Sequence, residues 1–277
     1  GRFYKTGQFN FEAVDKKPRR EQIDPPQTIS PPLFPITPGD PMPMNRTSGR
    51  ELKQIIAGHL LSEELAPALT SILRLPARRA VNSLFSLFCD RDALLRWRAV
   101  TAMGAVVAFL AEQEPESARV VMRRLMWNLN EESGGIGWGC PEAMGECMAR
   151  SALLAGEFGC ILISYLWPRG NFLEFSAIQP GVLWGVGRLG HAWPAAMGDS
   201  AARVNPFLAA DDAPRRGLAA WAAAALGNAE SIPLLTRLEE DSECLEFYDG
   251  ERLTRVTVSE LAGAALKRLR SKFCLKD

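Results

Sequence analysis

Apolar residues recur at helical spacing along most of the chain. Leu52, Ile55, Ile56 and Leu60 share one helix face, and Leu65, Leu69, Ile72 and Leu73 share the next. The same period predicts helices over 77–88, 92–111, 116–130, 141–154, 157–167, 180–191, 199–209, 214–227, 230–239 and 258–271. Breakers fall between them at Pro76, Asp90, Pro115, Gly134-Gly135, Pro168, Gly170, Pro194, Asp211-Asp212 and Gly227. Ser48 and Glu51 have capping-box spacing, so the first helix starts cleanly there. One stretch leaves the helical period. From Cys244 to Val258 apolar residues alternate around Asp249-Gly250, which predicts a small hairpin or extended loop before the last helix.

Residues 1–47 follow another pattern. Eight prolines fall between Pro25 and Pro43. Each fixes φ and removes an amide donor, so the segment is neither helix nor central strand. The chain therefore divides into a proline-rich extended arm, 1–47, and a helical domain, 48–277. Ile29, Leu33, Phe34 and Ile36 give the arm an apolar side to lay on its own body or on a second copy, and a homo-oligomer built through the arm is one expectation.

The helical domain repeats. Gly104, Gly145, Gly187 and Gly227 each close a similar small-residue segment, at spacings of 41, 42 and 40 residues. Trp97 and Trp138 both lie seven residues before their glycine; Trp184 and Trp221 hold another register, so the repeat is degenerate. Small residues such as the run Ala219-Ala220-Trp221-Ala222-Ala223-Ala224-Ala225 let neighbouring helix backbones approach closely. The stretch Leu95-Arg96-Trp97-Arg98-Ala99-Val100-Thr101-Ala102-Met103-Gly104 resembles the bacterial PBS-lyase HEAT-like repeat. Thr257-Val258-Ser259-Glu260-Leu261-Ala262-Gly263-Ala264-Ala265-Leu266 resembles the closing helix of such arrays. The resemblance implies an all-α superhelix, a HEAT/armadillo-like solenoid, preceded here by the arm.

Catalytic roles known among such arrays find little footing in these residues. No bilin-lyase motif is present. The resemblance to deoxyhypusine hydroxylase would require repeated His-Glu pairs for a di-iron centre, and neither His59 nor His191 is followed by Glu. No catalytic residue, metal or cofactor is expected. Lys plus Arg equals Asp plus Glu at 32 each, without the basic excess of a dedicated nucleic-acid binder. No apolar run near twenty residues is evident and the start lacks a signal-like stretch, so no membrane partner is expected. The six cysteines contain no C-x-x-C and read as small buried thiols in a cytoplasmic bacterial protein.

The stretch from Trp127 to Glu142 is the most unusual. It combines four glycines, two tryptophans, two asparagines and three carboxylates between two helices, and its composition resembles that of uncharacterised HEAT-repeat proteins of anaerobic sulfate-reducing bacteria. A long composed loop in a repeat array is a place for function. Trp127, Asn130, Glu131, Glu132, Trp138 and Glu142 are the candidate lining of a site; the bland alternative is a structural loop with its tryptophans in the core. Glu142, Glu146 and Arg150 step along one helix face. Arg188 and Arg216 fall in later repeats, where they would meet Glu142 or Glu146 as an anion-binding surface or as a salt-bridge ladder. The expected function is a scaffold or adaptor that holds a protein partner on the concave face, centred on this loop. The competing expectation is a small-molecule carrier or lyase-like enzyme with its pocket there.

Overall fold

A computed structural model describes residues 47–130, 137–198 and 200–274; residues 1–46 of the arm, Glu131 and Glu132 lie outside the described residues. The order is α1 (Gly49–Leu60), α2 (Leu65–Leu73), α3 (Ala77–Leu87), α4 (Ala93–Gln113), α5 (Pro115–Leu129), α6 (Cys140–Arg150), α7 (Ala152–Ser164), α8 (Gln179–Ala192), α9 (Ala201–Val204), α10 (Ala213–Leu226), α11 (Ile232–Thr236), β1 (Cys244–Tyr248), β2 (Leu253–Thr257) and α12 (Val258–Lys272). The first helix opens with the capping box: the Ser48 hydroxyl accepts from the Glu51 amide, and the Glu51 carboxylate accepts from the Ser48 amide.

Consecutive helices pack as pairs: α1 with α2, α3 with α4, α5 with α6, α7 with α8, the α9 segment with α10, and α11 with α12. The second helices then pack on one another in one continuous row, α2–α4–α6–α8–α10–α12. Side-chain hydrogen bonds between successive pairs carry the repeat period. Arg188 reaches Glu146 and Arg124 reaches Asn82 over 42 residues each; Arg78 reaches Ser117 over 39. The fold is a HEAT-like helical-repeat solenoid.

Small residues set the closeness of the row. A Cβ built on Gly145 of α6 would lie 2.4 Å from Cα of Gly185 on α8, so these two backbones touch only because neither has a side chain. The row is correspondingly dry: no residue of α6 or α8 is exposed. Helix α4 is long and apolar enough to cross a membrane, contrary to the sequence expectation that no such run exists. Two-thirds of its apolar window is buried inside this molecule.

Two predicted helices divide differently. The expected segments 141–154 and 157–167 are α6 and α7, separated by Ser151 alone, whose hydroxyl accepts from the Leu154 amide and starts the new helix. The expected helix 199–209 is the single turn α9 followed by a 3-10 segment, Asn205–Ala209, with Pro206 near its start. The hairpin is present as expected, antiparallel from Cys244↔Thr257 to Tyr248↔Leu253.

Candidate functional site

Helix α6 starts from Gly139, held in the left-handed region at φ 75°, with Phe88, just past the end of α3, packed where a side chain would go. This turn leaves the preceding Trp138 42% exposed. Its ring meets Phe175 edge-on, with centroids 6.2 Å apart and planes at 69°. Phe175 is 52% exposed and stands just ahead of the 3-10 turn Ser176–Ile178 that leads into α8. The two rings therefore bridge the starts of α6 and α8, the second helices of consecutive pairs. Sequence reasoning missed Phe175, which sits in a non-helical stretch, Phe172-Leu173-Glu174-Phe175, with no periodicity to mark it.

One turn beyond Trp138, Glu142 crosses the same junction. Its carboxylate fills the space beside Gly181 of α8, where a Cβ would sit 2.4 Å from Oε1. Oε2 is buried and without a hydrogen-bond partner. Burial pushes the carboxyl pKa up to about 7, against the opposing pull of its own backbone amide and of Arg96. The bland and the functional readings of the loop thus split by residue: its second tryptophan is exposed, while its helix-starting acid turns one carboxylate oxygen out of solvent.

Glu146 lies one turn deeper and is 2% exposed at its side chain. It accepts from Nε of Arg150 at 2.6 Å and from Nε of Arg188 at 2.6 Å. Burial raises its pKa, the two guanidiniums more than offset this, and the net displacement is downward. Of the two sequence alternatives for Arg188, the salt-bridge ladder holds: both charges are spent on one internal carboxylate. Arg216 does not join it. It pairs with Asp241 at 2.7 Å and Glu243 at 3.0 Å, and donates to the carbonyls of Ala210 and Asp211, which anchors α10 to the segment before the hairpin.

The other end of the loop returns to the first at Asn128 and Leu129, which pack against Gly137 beside Trp138. Trp127 is 70% exposed near the end of α5. Asn130 caps the same helix, its side-chain amide donating to the Met126 carbonyl at 2.9 Å, and it faces the buried Tyr165 hydroxyl without a well-formed hydrogen bond. Burial holds that phenol up at about 12. The candidates Glu131 and Glu132 fall outside the described residues.

A second cluster escaped the sequence reading. Along the row of second helices, Trp97 of α4 tilts against Trp184 of α8 at 4.9 Å, and Trp184 stacks on Trp221 of α10 at 6.0 Å. The hairpin covers them. Tyr248 stacks on Trp97 at 5.0 Å, and Phe247 meets Trp221 edge-on at 5.3 Å. The Trp184 indole donates to the Tyr248 carbonyl at 3.0 Å. Along this stretch the row of second helices is covered by the chain's own strand.

The cysteines also differ from expectation. Only Cys140 and Cys147 are buried, and burial pushes both thiols far above their usual range; Cys89, Cys160, Cys244 and Cys274 are exposed. The other four lie on turns, strand ends or outward helix faces that an apolar neighbourhood in sequence does not distinguish.

No family model matches the chain. An uncharacterized protein from Archaeoglobus fulgidus is 26% identical over 184 residues, spanning 65% of this chain and 92% of its own. Among solved structures, the archaeal HEAT-like repeats protein from Thermococcus onnurineus aligns at 16% identity over 82% of each chain, with a TM-score of 0.38. An engineered protein aligns at 15% identity over 80% of this chain and 97% of its own, with a TM-score of 0.46. Computationally designed armadillo repeat proteins for modular peptide recognition align at 16% identity over 79% of this chain and 99% of theirs, with a TM-score of 0.43.

Proposed function

We propose that this protein is an interaction scaffold that holds a protein partner at the α6–α8 junction, on the surface carrying Trp138 and Phe175. The observation that supports the reading is that pair of half-exposed aromatic rings. They meet edge-on across two consecutive repeat units, and both precede rigid helix starts. Large aromatics in fixed positions supply contact area at little entropic cost and are enriched among residues that dominate binding energy. This reading keeps the site at the 127–142 loop and sets it apart from the Trp97–Trp184–Trp221 row, which the hairpin covers.

A small-molecule pocket at the loop gains no comparable support. Glu142, its candidate acid–base group, is closed against Gly181 with its carboxylate oxygen out of solvent. An open depression of about 380 Å³ lies elsewhere, between α1 and α3, lined by Arg50, Lys53, Arg79 and Asn82 among others.

The test is an affinity capture from native lysate with wild type and a Trp138→Ala, Phe175→Ala double variant whose fold is checked by circular dichroism. A protein retained by wild type and lost by the variant supports the reading. Equal recovery of every captured protein by both removes the α6–α8 junction as the binding surface.

A further inference from the structure

A helical-repeat array is close to one-dimensional: each unit touches its neighbours, and distant units communicate only through those between them. Among the described residues, this chain breaks that rule over the longest separation between the β1–β2 hairpin and α4. The Tyr248 hydroxyl, on β1, lies 2.8 Å from Thr101 Oγ1 on α4, across 147 residues. The carbonyl of Glu251, at the hairpin tip, lies 3.4 Å from Nε of Arg98 on α4, across 153 residues. Arg98 is 6% exposed, and its Nη1 also donates to the carbonyls of Leu60 at 2.8 Å and Ser62 at 2.5 Å, in the turn that joins α1 to α2. One guanidinium thus ties the first pair, the second pair and the insertion ahead of the last helix.

We infer that the β1–β2 hairpin is a clasp: it closes the solenoid on itself by joining the last pair to the first two across the row of second helices, and so fixes the array's curvature. Three features carry this. The hairpin is inserted between the two helices of the last pair, where a repeat array needs only a turn. Its Tyr248 is fully buried and reads two earlier units at once: on α4 it stacks on Trp97 and hydrogen-bonds to Thr101, and from α8 it accepts the Trp184 indole through its carbonyl. The phenol also donates to the Gly250 carbonyl at 2.8 Å, so the tip of the hairpin is held in the shape that reaches Arg98. The hairpin covers aromatic rings of α4, α8 and α10 that an open array would leave uncovered. A clasped array cannot unwind one unit at a time from the C-terminal end, because its last element is packed on its second. Opening the hairpin therefore loosens α4 and the 60–63 turn together with α12, while an open array would lose protection in order of distance along the chain.

Hydrogen exchange of the full chain, read by mass spectrometry, tests this with two conservative variants and a control. Tyr248→Phe keeps the ring and removes both phenol hydrogen bonds. Exchange in the Leu95–Met103 stretch of α4 and in residues 60–63 is expected to rise about tenfold, as much as in α12. Thr101→Val cuts the same link from the other side and should raise exchange in residues 244–257 by a similar factor. Leu235→Ala, a buried residue of α11 that is not part of the clasp, should have its largest effect in α10–α12. The inference is overturned if Tyr248→Phe leaves α4 and residues 60–63 at wild-type rates, or if its effect declines unit by unit from the C-terminal end as the control's does. A hairpin unmoved by Thr101→Val overturns it as well.

Discussion

Glu146 on α6 accepts a 2.6 Å hydrogen bond from Arg188 on α8, one repeat away, while Arg150 on its own helix donates another at 2.6 Å. Two partly buried guanidiniums share one internal carboxylate, and removing that carboxylate leaves both without their partner. Breaking such a buried pair costs more than the pair itself contributes, because the orphaned charge remains. Glu146→Gln is expected to lower stability by about 3 kcal/mol in urea denaturation with an unchanged m-value. The sign of its pH dependence follows from the depressed carboxyl pKa in the folded protein. The ionised form is favoured by folding, so the stabilisation is present above the ordinary value of 4.5 and lost as pH falls through the lower folded value. The difference between wild type and variant should therefore shrink below pH 4.5. A gap that stayed constant down to acid unfolding would mean that the carboxylate's charge is not what the arginines hold.

Glu142, one turn away, predicts the opposite behaviour. Its folded pKa is raised by burial to about 7, so folding favours the protonated form. The penalty is absent below 4.5, grows as pH rises, and is complete above about 7. Glu142→Gln keeps the shape and cannot ionise. It should leave stability near that of wild type at pH 5 and raise it by roughly 3 kcal/mol at pH 8, since each tenfold change in protonation is worth about 1.4 kcal/mol. Denaturation midpoints at the two pH values decide this. A variant no more stable than wild type at pH 8 would show that the buried carboxylate finds partners on ionisation.

These two acids, four residues apart on one helix, show how far sequence carries and where it stops. Their shared face was legible from spacing. The Arg188 link was among the alternatives because its 42-residue separation from Glu146 is one repeat. Local chemistry likewise marked the Ser48–Glu51 cap and the Asp249-Gly250 hairpin. What escaped was non-local or unpunctuated. Ser151 divides α6 from α7 without a glycine or proline, because a serine cap supplies what the new helix start needs. Phe175 reaches Trp138 from a stretch with no period, and Tyr248 reaches Thr101 across most of the domain. A repeat pattern predicts contacts one unit away, so a hairpin that returns past several units carries no mark in the period. Arg216 was assigned by analogy with Arg188, yet it sits at the start of α10 facing Asp241 and Glu243, where the repeat gives way to the hairpin segment.

The close approach of α6 and α8 yields the sharpest stability contrast. At Gly145 the neighbouring group is backbone, Cα and carbonyl of Gly185 at 2.4 and 2.5 Å from a built Cβ, and backbone on a packed helix has no rotamer by which to yield. Gly145→Ala must push the two helices apart, and with them the Glu146–Arg188 link and the Glu142–Gly181 contact, because all three cross the same interface. Overpacking of this kind costs about 1–3 kcal/mol, and backbone displacement places this substitution at the upper end. Gly156 supplies the control: it lies within α7, where an added Cβ meets nothing within 4 Å. There Gly156→Ala removes the conformational freedom of glycine without a clash and should stabilise the fold by about 0.5–1 kcal/mol. Thermal unfolding of the two variants beside wild type reads both signs. Two alanine substitutions with effects of the same sign would show that the α6–α8 spacing is not set by the missing side chains of Gly145 and Gly185.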